Sequence, residues 1–68
     1  MKPTETLLEM VERHVREGEA HVRRQRAIIL ELREIGYPTE TAEQLLLQFE
    51  TTLECHRQHL SRIRTKDR

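Results

Sequence analysis

Four histidines and one cysteine carry the reactive and metal-ligating chemistry open to this chain of 68 residues. His14 and His21 stand two helical turns apart, His56 and His59 one turn apart, and Cys55 directly precedes His56. Imidazoles from two helices held at one level could bind zinc or another borderline transition metal, which makes His14, His56 and His59 the metal candidates. A cluster of imidazoles could also form a pH-sensitive contact, because this side chain titrates near neutrality. Metal sites inside helical bundles use a Glu-x-x-His motif, which is absent here, as are CxxC and HExxH. The reading the spacing favours is a structural polar layer. In it His14 faces His59 with His56 close by, and His56 is a core histidine satisfied by a carbonyl or a cross-helix partner, with no cofactor bound.

Catalysis finds no support in these residues. Cys55 lies beside two histidines, but a nucleophile also needs a pocket and an oxyanion site. There is no Ser-His-Asp grouping, no Gly-rich phosphate loop and no acidic pair in a cleft, so the chain is not expected to be an enzyme. Two basic stretches, Arg23, Arg24 and Arg26, then Arg57, Arg62, Arg64, Lys66 and Arg68, raise a nucleic-acid reading. Glu5, Glu9 and Glu12 are expected to lie beside the basic tail, and no aromatics interleave for base stacking, so nucleic acid is not the expected partner.

The elements that must position these side chains are legible in a heptad pattern. Apolar residues alternate every four and three positions through Leu8, Val11, Val15, Val22, Ile29 and Leu32, with Gly18 and Gln25 at the intervening steps. A second stretch runs through Ala42, Leu46, Phe49, Leu53, His56, Leu60 and Ile63. These are the a and d positions of two helices that pack along a seam. The e positions are then Glu12, Glu19, Arg26 and Arg33 in the first helix, and Glu43, Glu50, Arg57 and Arg64 in the second. An antiparallel fold-back sets Glu12 against Arg64, Glu19 against Arg57, Arg26 against Glu50 and Arg33 against Glu43. The residue numbers of every couple share one sum, so a single register satisfies them all. Exposed pairs contribute only about 0.2–1 kcal/mol each. Their larger role is to choose direction and register.

Local signals agree on the ends of the two helices. Thr6 followed by Glu9 reads as a capping box, with Pro3 upstream and Glu5 in the opening turn. Gly36 suits the left-handed residue that ends a helix, and Pro38 cannot continue one. Thr39 offers an N-cap, with Glu40 and Glu43 in the next turn. The expected architecture is one all-α domain over 1–68: helix 1 over about 5–35, a turn at 36–39 and helix 2 over about 40–64. Gly18 costs about 1 kcal/mol of helix propensity relative to alanine, so a close approach of the opposite helix is expected there. Gln25 is expected to be a buried amide that sets register.

The g flank differs from the e flank. Leu7, His14, His21, Ile28 and Ile35 occupy g in helix 1, and Leu45, Thr52 and His59 in helix 2, none of them carrying a fixed charge. Ile28 is expected opposite Leu45, and His21 opposite Thr52. An apolar flank beside a narrow core is what a hairpin shows when a second copy covers it. Leu7, Ile28, Ile35 and Leu45 are thus the expected interface of a homodimeric four-helix bundle.

Charged and hydrophobic residues each make up 35% of the chain, aromatics 3%, and the formal net charge is zero. No global field therefore recruits nucleic acid or an anionic membrane. No apolar run is long enough to span a bilayer, and the first residues lack a signal-peptide core. A cytoplasmic setting is the expectation, with one cysteine and hence no intramolecular disulfide.

Gly18-Glu19, Gln25-Arg26, Ile29, Leu32, Gly36, Thr39, Ala42, Leu45-Leu46, Phe49-Glu50, Leu53 and His56 together resemble a group of small uncharacterised helical-hairpin proteins of soil alphaproteobacteria. The resemblance spans about residues 14–63 and implies a bacterial cytosolic origin, without adding a site. The functional expectation is a small structural or protein-interaction module acting as a homodimeric bundle, with an unidentified protein as possible further partner. A histidine-based metal-binding or metal-sensing module is the alternative, and a nucleic-acid accessory factor the second alternative.

Overall fold

The computed structural model describes residues 4–66. Pro3 and Arg68, which figure in the sequence reading, lie outside them. Two helices, α1 (Leu7–Glu34) and α2 (Glu40–Lys66), pack against each other as a hairpin, with no strand among the described residues. At about 1.5 Å per residue α1 is a rod of roughly 42 Å.

Helix α1 begins where its first free amides find partners. The Glu9 amide donates to the Thr6 hydroxyl at 3.1 Å, and the Thr6 amide donates to the Glu9 carboxylate at 2.9 Å. This reciprocal box leaves Glu5 outside the helix rather than in its first turn. At the other end the Tyr37 amide donates to the Leu32 carbonyl at 2.9 Å and the Gly36 amide to the Arg33 carbonyl at 3.2 Å. That pair of bonds is a Schellman closure, and it requires the φ of +78° that Gly36 adopts.

Helix α2 opens at Thr39, whose carbonyl accepts the first intrahelical bond, from the Glu43 amide at 2.8 Å. The Thr39 hydroxyl does not follow the sequence expectation of capping an amide. It donates instead to the Glu43 carboxylate.

Burial follows the a and d positions. Val11, Val22, Ile29, Leu53 and Leu60 form the core, and Gln25 is buried with them. At Gly18 the helices come so close that an added Cβ would sit 3.0 Å from Leu53 Cδ1. The helix propensity lost at this glycine is the cost of the approach. The hairpin is a single layer, about 13 Å in its thinnest dimension.

Candidate functional site

The two flanks of the seam differ as their side chains dictate. On the e flank the structure places Arg26 Nη2 3.0 Å from Glu50, Arg57 Nη2 3.2 Å from Glu19, Arg64 Nη2 3.3 Å from Glu12 and Arg33 Nη2 3.8 Å from Glu43. The guanidinium groups are at least half exposed, so water screens each pair. These couples suit specificity of register better than stability.

A further ion pair was not legible in the heptads. Arg13 grips Glu5 with two parallel bonds of 3.1 Å and also reaches Glu17 at 3.3 Å. Its hydrogen bond holds the Glu5 carboxyl below the ordinary carboxylate range, and the same contact raises the guanidinium. Because Glu5 precedes the cap, its spacing from Arg13 matches no helical period, and only the path of the chain brings them together.

The g flank holds the histidines. The ring centres of His14 and His56 lie 4.9 Å apart, their planes tilted by 45°. His21 stacks on Phe49 at 5.3 Å and 16°. The ring that meets His14 is that of His56, expected close by, rather than that of His59, and Phe49 stacks on His21 while Thr52 lines the same depression. The reason is geometric: two g side chains lie on the outer edges of the flank, whereas a d side chain points into the seam beside the opposing g. His59 instead lines a separate groove with Leu7, Arg62, Ile63 and Lys66. Cys55 is an exposed free thiol.

His14, Glu17, Gly18, His21, Phe49, Thr52 and His56 line a shallow depression. Among the described residues, no group of three or more His, Cys, Asp or Glu side chains is gathered closely enough to hold a metal ion.

The apolar members of this flank stand in water. Ile28 and Leu45 are each 39% exposed, Leu7 55% and Ile35 64%. The sequence reading missed Leu30, Leu47 and Tyr37, which are also well exposed near the turn. Leu30 and Leu47 occupy b positions, which a heptad assigns to solvent whatever residue fills them. No helix among the described residues is long and apolar enough to cross a membrane.

Compared with protein-family models, with curated proteins and with solved structures, the chain matches none.

Proposed function

We propose that this chain is a structural and protein-interaction module that works as a homodimer of hairpins. In this reading two copies pack their g flanks together into a four-helix bundle. One observation carries it: a single layer of two helices leaves Leu7, Ile28, Ile35 and Leu45 exposed along the flank that has no fixed charge at its g positions from Leu7 to His59. Stable domains bury such faces between two layers. The opposite flank carries charge at every e position, where burial would strand ion pairs away from water.

The composition supports the same reading. A small core with few aromatics has little to offset chain entropy, and association adds a second buried face. Any further protein partner would then meet the outer surface of the bundle, where the e-flank charges and Leu30 and Leu47 are displayed.

Sedimentation over a range of concentrations tests the proposal. The wild type is expected to be dimeric, and Ile28→Lys with Leu45→Lys to give a monomer, or an unfolded chain where the hairpin cannot stand alone. A well-folded wild-type monomer at high concentration removes the dimer.

A further inference from the structure

We propose that the e flank, in its half nearer the turn, is a docking groove for one amphipathic helix of another protein. That helix carries acidic residues along one edge of its apolar stripe and basic residues along the other. Two hollows open on this flank. One, of about 310 Å³, is lined by Ile29, Leu30 and Leu46 together with Arg26, Arg33 and Glu43. The other, of about 390 Å³, is lined by Val22 and Leu53 among charged side chains of both signs, and Arg26 borders both.

The spacing of the hollows selects a helix. Val22 and Ile29 are seven residues apart on α1, as are Leu46 and Leu53 on α2, so the hollows repeat at about 10.5 Å. Side chains two turns apart on a partner helix have that same spacing and share one face. In an extended segment the nearest match is three residues, about 10 Å, and those side chains point to opposite faces.

The charges select the edges of that helix. The e and b positions beside the groove are Arg23, Arg26, Leu30 and Arg33 on α1, and Glu40, Glu43, Leu47, Glu50 and Glu54 on α2. One wall is thus basic and the other acidic, each interrupted by a single leucine that is more than half exposed. Arg23, Glu40 and Glu54 take part in none of the ion pairs among the described residues, so both walls keep charge for a partner. Acidic residues over α1 and basic residues over α2 meet both walls and fix the direction of the helix. They also face Arg26 and Glu50 where the helix crosses that couple, so its charges are not stranded. Nucleic acid and anionic lipid are repelled by the acidic wall. The inference rests on the reading of the chain as an interaction module, but the groove belongs to one hairpin and does not depend on the dimer.

A labelled synthetic helix of about 18 residues, roughly 27 Å long, tests the groove. Its stripe is alanine except for two leucines seven residues apart, with Glu along one edge and Lys along the other. Fluorescence anisotropy should show saturable binding of one peptide per chain. Leu30→Gln with Leu47→Gln should weaken it about tenfold or more, and Arg23→Glu, which breaks no ion pair of the hairpin, should weaken it severalfold. Leu7→Gln with Ile35→Gln, on the opposite flank, should leave binding nearly unchanged. Peptides with Glu on both edges or Lys on both edges should bind more weakly. Unsaturable binding, equal losses from the two flanks, or equal binding of the like-charged peptides would overturn the proposal. So would sedimentation showing assembly beyond the dimer that Leu30→Gln with Leu47→Gln abolishes, because a further copy then fills the groove. A wild-type dimer that ignores the peptide removes the groove alone, whereas a folded monomer that binds it removes the dimer alone.

Discussion

Gln25 donates its side-chain amide across the seam to the Ala42 carbonyl at 2.9 Å, from a position as buried as the apolar core. The carbonyl belongs to the first turn of α2, so the bond ties one height of α1 to one height of α2. A buried amide of this kind costs stability and contributes uniqueness of register.

Gln25→Leu separates those two effects. It removes both the polar group and its desolvation cost while keeping volume, so stability should change little or rise. Distances between spin labels on α1 and α2 should broaden as neighbouring registers become populated. A distribution as narrow as that of the wild type would show that Gln25 does not set register. Gln25→Ala, which also leaves a hole, should lose about 1–2 kcal/mol by urea denaturation.

Gly18 and Leu53 should show a reversal of sign. In the wild type Gly18→Ala gains about 1 kcal/mol of helix propensity, but its Cβ meets Leu53 Cδ1 at 3.0 Å. Overpacking typically costs about 1–3 kcal/mol, so a net loss of up to about 2 kcal/mol is expected. Leu53→Ala alone should cost about 2–5 kcal/mol. In that background the space is open, and Gly18→Ala should then stabilise by about 1 kcal/mol. Thermal melts of the four proteins decide it, and additive effects would rule out the close-contact explanation.

Charge exchange tests the e flank. Glu19→Arg with Glu50→Arg breaks two couples and sets like charges together. The expected loss is up to about 1 kcal/mol per couple at low salt and less at high salt. Adding Arg57→Glu and Arg26→Glu restores both couples with reversed polarity. A four-fold variant that melts no higher than the two-fold one would show that these pairs do not act across the seam.

Acid should loosen the start of α1. The Glu5 carboxyl sits below its ordinary value of 4.5 because Arg13 bonds its ionised form. A depressed carboxyl adds stability that is fully present above the unfolded value and is lost as pH falls through the folded one. Amide exchange of Glu9 and Met10, whose N–H groups bond to Thr6, should therefore accelerate below about pH 4.5, beyond the intrinsic trend. Glu5→Gln should already exchange faster at neutral pH and show a smaller acid step, since only the Glu9 carboxylate of the capping box is left to protonate in that turn.

What the sequence by itself determined is local or periodic. Thr6 with Glu9 marks the start of α1, and Gly36 its end, because each concerns backbone groups within a few residues. The heptad names the four e-position couples that the structure holds at 3.0–3.8 Å, since one antiparallel register follows from spacing and sign alone. Tertiary structure decided whatever depends on the depth and direction of a side chain. Heptad letters set His14 against His59 with His56 close by, but only depth in the seam decides that the ring contact falls to His56 and that Phe49 stacks on His21. The Glu5–Arg13 grip depends on how the chain enters its cap, which no period encodes. Leu30 and Leu47 are visible only as exposed surface, because a pattern that finds a seam is silent about residues pointing away from it.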